Sequence, residues 1–492
     1  MGKEIMIRDL TFSYGGNGNQ LEHISLDIAA GEVIVMTGPS GSGKSSLTRV
    51  INGLIPYFYE GELSGEVFVD GKPLKEIPSW ERGKIVGNVF QDPRSQFFAN
   101  EVAGEVAFGC ENYGYSHEEI RNHVHRAAAD IKIQDILDHS LHSLSYGMRQ
   151  KVAIASAEAI DPEIYVMDEP SANLDIASTY RFADIIRALK QQGKTIIIAE
   201  HRLYYLMDLA DRFLCVQKGK IVREFTAQQM KALTNQGIQA LGLRTPDLHQ
   251  IEQTEISSAA TSEVVLEVKK LNHSFGETIG AKDIDFQCCQ GEVIALIGPN
   301  GTGKSTIGRI LAGLLKEKSG EVILFGKHCR PKGRLGKVWY IPQDLDSQLF
   351  GEDLLDELTT GAEVSPERKQ AAEEILEALE LTPFIKQHPS TLSGGQKQRL
   401  ALGVALMHEA PIIVLDEPTS GLDGTNMRNV SRMIRKLAKM GRTIIVITHD
   451  AECALACCER AIRLENGCIT DDFQIRGAEL LLDKIGYDKK EG

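Results

Sequence analysis

Residues 38–46 read GPSGSGKSS, and their flanks decide how they fold. The apolar run Val33-Ile34-Val35-Met36 precedes them, and the segment from Leu47 to Asn52 has a helical pattern. Strand, glycine-rich turn, Lys-Ser and helix make up a phosphate-binding loop. In Gly38, Pro39, Ser40, Gly41, Ser42 and Gly43, the glycines let backbone N–H groups turn inward and approach phosphate oxygens, and the helix N-terminus adds its positive dipole end. Lys44 is placed to reach β- and γ-phosphates, and the hydroxyl of Ser45, with Ser46 beside it, to ligate Mg²⁺. The chain then repeats the pattern. Gly298, Pro299, Asn300, Gly301, Thr302, Gly303, Lys304, Ser305 and Thr306 follow the apolar run 293–297.

Repetition extends along the chain. The two lysines are offset by 260 positions. Leu10–Gly15 matches Leu271–Gly276, and Gln91-Asp-Pro-Arg-Ser-Gln96 matches Gln343-Asp-Leu-Asp-Ser-Gln348. Leu144-Ser-Tyr-Gly-Met148 matches Leu392-Ser-Gly-Gly-Gln396, and Asp168-Glu169 and His201 match Asp416-Glu417 and His449. A period this long marks a duplicated domain rather than a solenoid. Domain one is expected over residues 1–226, a polar linker with some helix at its start over 227–262, and domain two with a charged tail over 263–492. Strands alternating with helices imply α/β domains with a largely parallel sheet and catalytic loops at the strands' carboxyl ends.

The 492 residues suffice for two or three domains, and a net charge of -14 is a poor match to a nucleic-acid backbone. No apolar run reaches the roughly 18–20 residues needed to cross a bilayer, and MGKEIMIRDL lacks the apolar core of a signal peptide. A soluble, cytoplasmic chain is expected. Nine cysteines show no paired CxxC spacing, so they read as reduced packing thiols.

In each copy an apolar strand ends in two carboxylates, Asp168-Glu169 and Asp416-Glu417. The first is placed to hold Mg²⁺, usually through water, and the second to polarise a water beside the γ-phosphate. At this point each half resembles an ATP-binding-cassette (ABC) ATPase domain, a P-loop NTPase fold with a mixed or parallel sheet core, a β subdomain and a helical signature subdomain. The family's most specific mark, LSGGQ, stands whole at Leu392–Gln396. The resemblance implies ATP and Mg²⁺ as ligands and head-to-tail pairing of the two domains. One ATP site would then use residues 38–46, Gln91, Asp168, Glu169 and His201, capped by Ser393, Gly394, Gly395 and Gln396. The other would use residues 298–306, Gln343, Asp416, Glu417 and His449, capped by Ser145 and Gly147. Gln91 and Gln343 would join the Mg²⁺ ligands Ser45, Asp168, Ser305 and Asp416. Asp175 and Asp423 fall at the family's D-loop, and Tyr14 and Phe275 match the aromatic that stacks on adenine. The first signature departs from the pattern at Tyr146 and Met148, which implies slower hydrolysis at the second site.

The second Gln, five positions after Gln91 and Gln343 and followed by an aromatic, is similar to energy-coupling-factor (ECF) importers of vitamins or metals. That implies a transmembrane T component, a small substrate-binding S component and a place on the cytoplasmic face of the membrane. Monosaccharide importers, which pair a fused ATPase with a permease, remain open as an alternative. So does a ribosome-acting tandem factor, although the short linker and acidic charge count against it. Only 101 and 89 positions separate each loop lysine from its signature serine, which leaves no room for the insertions of DNA-repair members.

Overall fold

The computed structural model describes residues 2–15, 18–251, 260–276, 278–360 and 365–487. It divides into two compact units, Met1–Asp247 and Leu248–Gly492.

Each unit is built on a six-stranded sheet. In the first the order is Lys220–Phe225, Arg212–Gln217, Val33–Thr37, Thr195–Ala199, Ile164–Asp168, Val86–Val89, parallel except for the edge strand Lys220–Phe225. The second repeats it with Val338–Ile341, Ile412–Asp416, Thr443–Ile447, Val293–Ile297, Arg460–Glu465 and Cys468–Gln474. The central strands are continuous apolar runs because both of their faces are covered. Val33 and Val35 enter the core shared with the helices. Ile34 and Met36 enter the core shared with a four-stranded antiparallel sheet that includes Ile5–Ser13 and Leu21–Ile28. The two expected subdomains are therefore packed on opposite faces of one strand.

The helical stretch lies between the Gln segment and the next parallel strand. In the first unit it is Val102–Asn112, His117–Ile131 and Tyr146–Glu158; in the second, Leu354–Thr359, Pro366–Ala378 and Gly394–Met407. Helix His117–Ile131 begins with a reciprocal cap between Ser116 and Glu119 and buries Val124, Ala127, Ala128 and Ile131, one face at helical spacing. The nine cysteines are free, and Cys453, Cys457 and Cys458 are buried in the second unit. No helix among the described residues is long and apolar enough to cross a membrane.

The division between units falls at Asp247, later than the expected end of domain one at 226. Helices Ala227–Lys231 and Asn235–Ala240 fold back so that Met230, Ile238 and Leu243 complete the first core. A polar surface with apolar residues widely spaced hides this docking from sequence reading. Residues 252–259 of the expected linker and 488–492 of the tail lie outside the described residues. Met230→Ala should therefore destabilise the first unit by about 2–5 kcal/mol, as core truncations do. Urea unfolding followed by a probe in each unit should show the loss in the first unit only.

Candidate functional site

At the end of Val33–Thr37 the chain turns at Gly38 (φ 139°), where a Cβ would stand 2.0 Å from the Val216 carbonyl oxygen. Gly298 repeats this at φ 139°, 2.2 Å from the Leu464 oxygen. Only glycine fits such an approach. Gly41 and Gly301 are also left-handed but face open space, so the loop is concave there. Helices Lys44–Ile51 and Lys304–Leu311 start from left-handed Gly43 and Gly303. The buried Lys44 Nζ donates to the carbonyls of Gly38 (2.9 Å) and Pro39 (3.0 Å). Lys304 Nζ donates to Gly298 and Pro299, both at 2.7 Å. Within the first loop the Ser42 hydroxyl is buried without a hydrogen-bond partner, whereas its counterpart Thr302 donates to Pro299 at 2.9 Å. A concave backbone, an ammonium held over it and an orphaned hydroxyl fit an anion such as a nucleotide phosphate.

The carboxylates converge on the same place. Ser45 Oγ donates to Asp168 Oδ1 at 3.1 Å. Burial, then the neighbouring Glu169, pushes the Asp168 carboxyl up to about 6. In the second unit Tyr340 donates its O–H to Asp416 Oδ2 at 2.5 Å, and Asp416 too is raised by burial. The next residues, Glu169 (φ 44°) and Glu417 (φ 49°), are left-handed non-glycines. Their N–H groups donate to the adjacent strand's carbonyls at Ala199 and Ile447, each at 2.8 Å. Such a backbone costs on the order of 1 kcal/mol or more, persists only where its surroundings enforce it and gathers at functional positions. Gln91 Nε2 donates to Glu169 Oε2 at 2.7 Å. His201 Nε2 lies 3.2 Å from Glu169 Oε1, off the line of a hydrogen bond. His449 instead turns Nδ1 to Glu417 Oε1 at 2.7 Å. Gln343 stands just beyond strand Val338–Ile341, as Gln91 does beyond Val86–Val89.

The remaining predicted residues divide by unit. Tyr14 reaches the first loop, its hydroxyl 3.2 Å from Ser46 Oγ, while Phe275 is half-exposed and packs edge-on to His273. Ser145 caps helix Tyr146–Glu158, and its Oγ accepts from Met148 N–H at 3.3 Å. Ser393 caps Gly394–Met407 reciprocally with Gln396, whose Oε1 accepts from the Ser393 N–H at 2.8 Å. Gln396 is thus a helix-capping residue here, and Met148 at its position lacks the acceptor. Gly395 approaches Asn426 so closely that a Cβ would stand 2.5 Å from its Oδ1. Asp175 and Asp423 cap helices Ile176–Gln191 and Gly424–Lys439 through Ser178 N–H (2.8 Å) and Asn426 N–H (2.7 Å).

Sequence reading missed the support behind the histidines. Glu200 is buried and accepts from Ser171 Oγ (2.7 Å), His201 N–H (2.7 Å) and the Tyr205 hydroxyl (2.9 Å). Arg202 donates to the Ser171 and Leu174 carbonyls. The second unit has Thr448 and Asp450 instead, and Asp450 accepts from Thr419 Oγ1 at 2.6 Å. A charged pair flanking a histidine after an apolar strand was the available signal.

The family described as ABC transporter matches residues 21–172 and 281–420. A Treponema denticola protein named "Putative ABC transporter ATP-binding protein" is 38% identical over 96% of this chain and 98% of its own. A Bacillus subtilis protein named "Putative HMP/thiamine import ATP-binding protein YkoD" is 30% identical over 91% of this chain and 87% of its own. Among solved structures, "RNase-L Inhibitor" superposes at TM-score 0.64 with 22% identity, covering 97% of this chain and 93% of its own, a likeness of fold.

The Asp168 shift has a consequence for stability. A carboxyl raised in the folded state contributes stability when protonated and loses it as pH rises from the ordinary carboxylate range through about 6. Asp168→Asn, without nucleotide and in chelator, should therefore stabilise the first unit at pH 7 by up to about 3 kcal/mol, with the gain vanishing below pH 4. Thermal unfolding across pH 4–8 checks this.

Proposed function

The chain belongs to the ABC transporter family of ATP-binding proteins and hydrolyses ATP, and on that premise we propose that it energises an ECF-type importer from the cytoplasmic face of the membrane. One observation carries the choice. Beside each Gln loop a phenylalanine, Phe98 or Phe350, stands about three-quarters exposed (74% and 76%). Each is held by a buried glutamate. Glu105 Oε2 accepts from Phe98 and Ala99 N–H at 2.8 and 2.9 Å. Glu357 Oε2 accepts from Phe350 and Gly351 N–H at 2.7 and 2.6 Å. The two N–H bonds meet the cost of burying each carboxylate, and the aromatic they fix remains exposed apolar surface that a partner would cover. The arrangement suits two membrane-embedded contacts, one for each half, and the T component of an ECF complex would supply them. The HMP/thiamine import for which the Bacillus relative is named supports a vitamin or vitamin precursor as cargo.

In the proposed mechanism Lys44 and Lys304 leave their own loop carbonyls for β- and γ-phosphates, and the loop's N–H groups take the remaining phosphate oxygens. Ser45 with Asp168 and Ser305 with Asp416, joined by Gln91 and Gln343, would hold Mg²⁺, which supplies charge neutralisation between the phosphates. Glu169 and Glu417 accept a proton from the attacking water, and His201 and His449 orient them. Tyr14 and Phe275 offer faces for adenine. By the family resemblance, Ser393, Gly394 and Gly395 would cap the nucleotide of the first loop, and Ser145 and Gly147 that of the second, with Asp175 and Asp423 alongside. The bulk of Tyr146 slows the second site.

Glu169→Gln should therefore remove more turnover than Glu417→Gln, by several-fold in steady-state ATPase assays; equal losses contradict the asymmetry. Purification from native membranes should bring down one T-type membrane protein and a small hydrophobic protein that binds a vitamin-like ligand. A larger permease with a secreted sugar-binding protein moves the assignment to a monosaccharide importer, and ribosomal proteins alone sink the transport reading.

A further inference from the structure

Tyr146, where the second half has Gly394, is bound inside its own unit. Its O–H donates to the backbone carbonyl of Gln91 at 2.5 Å. Gln91 in turn holds Glu169 through its side-chain amide at 2.7 Å. The first residue of helix Tyr146–Glu158 is thus two hydrogen bonds from the carboxylate that activates water. A second tie runs alongside. The Gln96 side chain accepts from Phe90 N–H at 3.0 Å and donates to the Ala153 carbonyl, on the same helix, at 3.5 Å. The segment bearing Gln91 is therefore fastened to the signature helix at both ends.

The second unit makes this link by different chemistry. Gly394 has no side chain to extend toward Gln343. The helix instead reaches the loop through Lys397, which pairs with Asp346 at 2.5 Å, three residues beyond Gln343. Gln348, the counterpart of Gln96, donates to the Tyr340 carbonyl at 3.4 Å, within its own strand and loop. One half has a short neutral bond to the glutamine's own peptide; the other has an ion pair with an exposed carboxylate that salt screens.

We propose that Tyr146 is a positioning residue for hydrolysis by the first unit, holding the Gln91 peptide so that its amide places Glu169. The departure from LSGGQ at this position then has a purpose in its own half. Fixing the peptide costs the loop conformational freedom once, on folding, so that Gln91 does not pay it in each turnover.

The inference rests on Glu169 being the water-activating group, so the test is run in Glu417→Gln protein, where the first site supplies the turnover. Tyr146→Phe keeps the ring and removes one hydroxyl. It should lower kcat about 3- to 10-fold with KM for ATP unchanged, the scale of one hydrogen bond. Gln91→Ala should lower kcat by itself, and Tyr146→Phe added to it should cost nothing further, because the tyrosine acts through that residue. Lys397→Met should leave first-site kcat as it was. Should Tyr146→Phe not accumulate as folded protein, Tyr146→Met, flexible and without a donor, replaces it. Additive losses, an unchanged kcat, or a raised KM with kcat intact would each overturn the proposal. Turnover that survives Glu169→Gln in the same background would instead refute the assignment of Glu169, whatever Tyr146 does.

Discussion

At Gly38 and Gly298 the chain leaves a fully buried strand and passes so near the next strand's carbonyl that no Cβ fits. That approach sets the path of the loop that follows. It brings the carbonyls of Gly38 and Pro39 over the lysine, starts a helix at left-handed Gly43, and brings Ser45 within 3.1 Å of Asp168 from a strand 123 residues away. The sheet supplies the rigidity. Each central strand is covered on both faces by separate cores, so the strand ends cannot shift without unpacking one of them.

The two units share this frame and differ in what is hung on it. The glutamates adopt the same left-handed backbone, with their N–H groups fixed to the adjacent strand. Around them the contacts diverge. Glu200 and Arg202 support His201, whereas Thr448 and Asp450 stand beside His449. The loop serine hydrogen-bonds the aspartate in both units, but in the second Tyr340 also donates to Asp416. A duplicated fold keeps the parts that phosphate geometry demands and leaves the supporting hydrogen bonds free to be met in several ways.

The exposed phenylalanines belong to the frame that the two halves share. Both halves bury a glutamate to hold an aromatic in water, an arrangement that core packing within one unit does not call for. Tyr146, by contrast, belongs to one half only. Its ring reads as a defect against the signature pattern, yet its hydroxyl is engaged with the Gln91 peptide.

The sequence by itself determined the fold class and the duplication. Glycine spacing, apolar runs and Lys-Ser pairs are local signals whose structural meaning does not depend on distant contacts. It also marked Lys44, Asp168, Glu169 and His201 and their counterparts, because each ends a readable strand or loop. Only the tertiary structure decided that residues 227–247 complete the first core, that Gln396 caps its own helix, and that Glu169 and Glu417 are left-handed. It alone showed Tyr146 reaching Gln91 across 55 positions. These depend on which side chains meet after the chain has folded back. A polar residue far along the chain carries no local signature of the partner that will satisfy it.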